Sequence, residues 1–141
     1  MIRRVSLSLA VVLAACNDPL GIPSAWQAVL TPTTAEDVRG QVAAASLPQP
    51  SLETGMDVQG APTTTYGWQI NHGTCSQPGA MLGGRANYPD VQTNAAGTGR
   101  IERTFVSGRL EEDNNYHAVI TRSNDRSVIL ACGEMIQQTF D

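Results

Sequence analysis

From residue 24 onward, short apolar–polar alternations are broken by turn-forming residues about every ten positions. That rhythm admits little except antiparallel β-structure. Residues 25–31 (AWQAVLT) alternate and stop at Pro32. Residues 38–47 (VRGQVAAASL) end at the turn Pro48-Gln49-Pro50. Residues 51–59 alternate more weakly and residues 64–71 (TTYGWQIN) more strongly. Residues 72–87 are glycine-rich and without period, which reads as a long loop. A short strand at 88–93, a turn at Asn94-Ala95-Ala96-Gly97 and an alternating run at 98–106 follow. After a polar loop at 107–114, residues 115–121 (NYHAVIT) form a strand that ends at the turn Ser123-Asn124-Asp125. Residues 127–135 (SVILACGEM) are almost continuously apolar, as expected of a strand buried on both faces. No helical period and no internal repeat interrupts the pattern. The expectation is one all-β domain at 24–141, a sandwich or barrel of about eight strands.

The first residues obey different rules. Arg3 and Arg4 precede a mostly apolar stretch at 5–15 that is too short for a bilayer core, which takes ~20 apolar residues. Such flanks suit a secretory signal. Its end, Leu13-Ala14-Ala15-Cys16, resembles the lipobox of bacterial lipoproteins, in which the cysteine thiol is acylated and the chain is cut just before it. The resemblance implies a signal peptide at 1–15, lipid attachment at Cys16, a lipidated tether at 16–23 and an envelope protein anchored to the membrane rather than spanning it. Several acyl chains, at ~0.8 kcal/mol per buried CH₂, hold such a protein stably. Asn17 stands where aspartate commonly retains these proteins in the inner membrane, which favours the outer membrane if the cell is Gram-negative.

Loss of Arg3 and Arg4 with the signal moves the formal charge from −4 to about −6. All nine basic residues are arginine and none clusters in a stripe, so a nucleic-acid partner is not expected. Glu111-Glu112-Asp113 lies in an Asn-rich stretch and reads as a solvated loop. Aromatic residues are few, so the core must rest on Val, Ile, Leu and Ala. Small exported domains often add a disulfide. With Cys16 taken by lipid, Cys75 and Cys132 remain, and an even pair in an exported chain is most simply one bridge.

The order of these pieces resembles the Cu/Zn superoxide dismutase superfamily, an eight-stranded Greek-key sandwich. AVL…VRGQV is similar to its opening hairpin, and YGWQIN to the strand that in the enzymes carries H-G-F-H-V-H. Residues 94–99 resemble its D-x-x-G hairpin. LACG at 130–133 resembles its last strand, whose cysteine pairs with one in the loop after the ligand strand, where Cys75 lies. The likeness covers residues 25–135. The glycine-rich turns also resemble the chordin-type repeat, although LACGEM replaces that repeat's closing motif.

Alternation puts Trp68, Ile70 and His72 on one face and Gln69 and Asn71 on the other. The resemblance therefore sets Gln69 and Asn71 where the enzymes hold copper with histidines. An amide nitrogen has no lone pair to give, and its oxygen is a poor copper ligand beside imidazole. After His72 the loop to residue 87 has neither histidine nor carboxylate. The last copper histidine falls near Ile120 or Thr121 and the active-site arginine near Ile129, with Arg126 too distant to equate. His72 and His117 are expected as partly exposed hydrogen-bonding residues, short of the three or four ligands a metal site takes. No G-x-S-x-G elbow occurs, and Gly97-x-Gly99 reads as a hairpin. Trp26 and Trp68 read as core or interface anchors. Cys75 and Cys132 are too far apart in sequence for a C-x-x-C redox pair. The expectation is a non-enzymatic binding or structural module without metal or cofactor. It would be anchored to the membrane through Cys16, with an unidentified envelope protein or ligand as partner. The competing reading is a copper or zinc binder using His72 and His117, or a divergent superoxide dismutase.

Overall fold

The computed structural model describes residues 24–47, 51–106 and 110–138. The signal at 1–15, Cys16, the tether to residue 23, the Pro48-Gln49-Pro50 turn and part of the loop after β7 lie outside them. Ten antiparallel strands form a single curled sheet, a half-barrel whose two halves face each other as a sandwich. The strands are β1 (Ser24–Pro32), β2 (Arg39–Ser46), β3 (Ser51–Gln59), β4 (Thr65–Gly73), β5 (Pro78–Met81), β6 (Val91–Gln92), β7 (Thr98–Val106), β8 (Tyr116–Arg122), β9 (Ile129–Glu134) and β10 (Ile136–Gln138). A short 3₁₀ turn, Arg85–Asn87, precedes β6.

The order along the sheet is β5-β4-β8-β9-β1-β2-β3-β7, with β6 beside β4 and β10 beside β1. Strands β1, β2 and β3 run as consecutive hairpins, then the chain crosses to β4 in the other half, returns to β7 beside β3 and crosses again to β8 beside β4, the crossover connections of a Greek-key sandwich. The period-two reading explains why these strands settle with one face inward. In β1, Trp26, Ala28 and Leu30 are buried while Gln27, Val29 and Thr31 face out. In β3, Leu52, Thr54, Met56 and Val58 are buried and Glu53 and Asp57 face out, so the weaker candidate makes a full nine-residue strand.

β1 joins both halves of the sandwich. Its first seven residues pair with β2, and Thr31 and Pro32 pair with Cys132 and Ala131 of β9. At this crossing Gly133 lies against the Val29 carbonyl, where any Cβ would collide with backbone. The turn after β6 requires its glycine for another reason. Gly97 has φ of 81°, a left-handed conformation that glycine adopts without strain. The Asn94 side-chain oxygen accepts from the Ala96 and Thr98 amides and closes the hairpin.

Between the halves, Trp68 and Tyr88 meet edge-to-face at 5.0 Å, and Tyr88 meets Phe105 at 5.5 Å. Trp26 meets Tyr116 at 5.6 Å, so both tryptophans are core residues. The Tyr88 hydroxyl donates to the Leu82 carbonyl at 2.6 Å, and burial raises its pKa well above the ordinary phenol value.

Two expectations are corrected and one strand is added. The loop at 72–87 contains β5 and the 3₁₀ turn, and it is tied inward by buried Leu82. The strand hidden on both faces is β8, where six successive residues from Tyr116 to Thr121 are buried; β9 starts at Ile129 and leaves Ile129 and Cys132 half-buried and Glu134 exposed. The reason is cover, since the core lies on one face of β8 and the loop bonded through Cys75 to Cys132, the residue paired with Val119, lies over the other. β10 is a further addition, pairing Ile136, Gln137 and Gln138 with β1.

Candidate functional site

β4 and β8 run side by side over seven residue pairs, from Tyr66 opposite Arg122 to His72 opposite Tyr116. Paired residues of such a ladder share a face. Trp68 and Ile70 take the core face with Ile120 and Ala118, as alternation requires. The opposite face carries Gln69 and Asn71 of β4 with Val119 and His117 of β8, and beyond them Cys132 and Glu134 of β9. The loop after β4 is tied over this region, because Cys75 is bonded to Cys132, 57 positions further along the sequence, with Cα atoms 6.1 Å apart. Its hold is reinforced by the Cys75 amide, which donates to the Glu134 carboxylate at 2.9 Å.

Under this cover the polar side chains form a chain. The Gln69 Nε2 donates to Asn71 Oδ1 at 2.9 Å, and Asn71 Nδ2 lies 3.3 Å from His117 Nε2. His117 is 1% exposed and Asn71 6%. The expectation of a partly exposed His117 is therefore wrong. Its polar face is real, but that face is roofed. Gln69 Oε1 and His117 Nδ1, the two ends of the chain, have no partner among the described residues.

His72 behaves otherwise. By alternation it belongs to the Trp68 side, and at the irregular end of β4 its ring emerges into solvent beside Tyr116, 5.3 Å away. The two histidines thus occupy opposite faces of the sheet and cannot converge on one ion. Among the described residues no three His, Cys, Asp or Glu side chains come together. Gln69 Nε2 is engaged by Asn71 and Asn71 Nδ2 by His117, which leaves Gln69 Oε1 as the free amide atom of the pair. Ile120 points into the core, Thr121 is fully buried with its hydroxyl on the Arg122 carbonyl, and Ile129 is half-buried.

Arg126 has a structural part that the sequence did not reveal. Its guanidinium donates to the Trp68 carbonyl at 3.1 Å, the Tyr88 carbonyl at 2.8 Å and Asp90 Oδ1 at 2.8 Å. With its side chain 11% exposed, it pins the segment before β6 to β4. The planar, five-donor fork of arginine suits such a staple. The sole sequence signal was an arginine in a turn, which any solvated arginine would give.

Elsewhere the outer surface of β1, β2, β3 and β7 is open. Val29 and Ile136 are exposed there, and Arg100 bridges Asp57 and Glu102 in solvent. A shallow recess of about 360 Å³ runs past Val29, Arg39, Gln41 and Asp57. No described helix is long and apolar enough to cross a membrane. No protein-family model matches the chain, and no curated protein matches it.

Proposed function

We propose that the protein is a membrane-anchored envelope lipoprotein, lipidated at Cys16, whose superoxide dismutase-like sandwich serves as a non-catalytic binding or structural module. The observation that carries the non-catalytic part is the Gln69–Asn71–His117 chain. At the positions where the resembling enzymes would hold copper, this chain has two amides hydrogen-bonded to each other and to a buried imidazole. The Greek-key order and the Cys75–Cys132 bridge support the superfamily resemblance, because the likeness implies both. The same bridge supports the lipid anchor. Of the three cysteines, two are consumed by it, and Cys16 remains at the end of a signal-like stretch.

Two measurements test the two halves. Cys16→Ser is expected to abolish labelling by a radioactive fatty acid and to accumulate unprocessed precursor; normal labelling of that variant removes the lipoprotein reading. Superoxide scavenging by the copper- and zinc-treated full chain is expected to stay at the level of the buffer metal. A turnover that survives dialysis and scales with bound copper removes the non-catalytic reading.

A further inference from the structure

The polar chain under the disulfide loop has a direction. Asn71 Oδ1 is occupied by the Gln69 amide, so the Asn71 group facing His117 is its NH₂, and His117 Nε2 must accept. The neutral ring then carries its proton on Nδ1. A proton added to the ring goes to Nε2, and Nε2–H would face the Asn71 NH₂, donor against donor, in a site with no room for either to turn to solvent.

A half-turn of each amide removes the conflict. Asn71 presents Oδ1 to Nε2–H and its NH₂ to Gln69, and Gln69 presents Oε1 to Asn71. Both hydrogen bonds survive with donor and acceptor exchanged, and the heavy atoms scarcely move because amide oxygen and nitrogen are nearly the same size. Gln69 Oε1, without a partner in the first arrangement, gains one in the second. The chain is therefore built with two states of equal hydrogen-bond number.

We propose that Gln69, Asn71 and His117 form a proton-driven switch, in which protonation of His117 reverses the polarity of the amide chain and turns the free end at Gln69 from acceptor to donor. The groups facing His117 fit a ring that changes charge. From β4 it meets neutral Asn71, with Gln69 beyond. From β9 it is paired with Glu134, an acidic residue whose carboxylate is held by the Cys75 amide. Cys75 and Cys132 are bonded together and do not titrate. Arg126 is bound at Trp68, opposite Ile120 and three residue pairs along the ladder, roughly 10 Å from His117. His72 is on the other face. The switch does not depend on the lipoprotein reading.

The test is a side-chain amide and imidazole NMR titration of the full chain over the whole pH range in which it stays folded. The Asn71 and Gln69 amide signals are expected to move with the midpoint of the His117 ring. A through-hydrogen-bond coupling between Asn71 Nδ2 and His117 Nε2 should exist above that midpoint and vanish below it. In Asn71→Ala the Gln69 response is lost while His117 still titrates; His117→Phe abolishes the response of both amides. A Gln69 amide that stays still while His117 titrates, a Gln69 response that persists in Asn71→Ala, or a His117 that takes up no proton before the protein unfolds overturns the proposal. The wild-type titration decides alone if neither variant folds.

Discussion

Removing the bridge is the perturbation whose size the structure fixes best. Cys75 and Cys132 are 57 residues apart, and closing a loop of that length in the unfolded chain is worth about 4 kcal/mol by the chain-entropy relation. The native state loses as well. Without the bond, the part of the loop around Cys75 keeps its amide hydrogen bond to Glu134, worth about 1.5–3 kcal/mol with a charged acceptor and less at this exposed site, while β5 and buried Leu82 hold the rest. A net stability of about 5–15 kcal/mol is usual for a domain, so a loss near 4 is a large share. For a domain of this size it lowers Tm by roughly 15 °C. The assay is thermal and urea unfolding of the full chain carrying Cys75→Ala and Cys132→Ala together, beside wild type with and without reductant. Reduced wild type and the double variant are expected to coincide, both well below the oxidised protein. The urea m-value should rise in both, because an unfolded chain without the loop exposes more surface. If the oxidised and reduced proteins melt within a few degrees of each other, the bridge does not constrain the unfolded chain and the reasoning fails.

Two further predictions concern the staple and its turn. Arg126→Lys keeps the charge but cannot reach two carbonyls and Asp90 at once, so a loss of roughly 2–3 kcal/mol is expected in urea unfolding; a change near zero would show that the three contacts carry no stability. Asp125 accepts from the side chain and then from the amide of Ser127, which holds its pKa below the ordinary aspartate value. Its stabilising contribution is present above the unfolded-state pKa and disappears as pH falls through the lowered folded value. In Ser127→Ala the Asp125 midpoint, read from its carboxyl carbon signal, should move up toward that of a free aspartate.

Much of this architecture is legible because one face of β1, β2 and β3 is wet. β1 and β7 announce themselves by alternation, β3 more weakly, and the Asn94 to Gly97 turn by its residues. β5 and β10 are four and three residues long and exist through pairing with β4 and β1, so no window of sequence carries a period for them. β8 fails the alternation rule for the opposite reason. Its outer face is hidden by chain brought there from elsewhere, and a histidine at position 117 looks solvent-facing until the Cys75 loop is laid across the sheet. The site was half legible. Gln69 and Asn71 stood out as amides on the face away from Trp68, but their link to His117 depends on a β4–β8 register that no local pattern specifies. Arg126 was invisible because two of its three partners are backbone carbonyls, which every residue has, and the third, Asp90, is 36 positions away in sequence.

The central claim is that amides and a buried imidazole occupy the face where the resembling enzymes would hold metal. Elemental analysis of the full chain purified in mild detergent, without added metal or chelator, tests it most directly. The account predicts copper and zinc far below one equivalent per chain. A stoichiometric amount of either metal, lost together with His117 in His117→Phe, would contradict it.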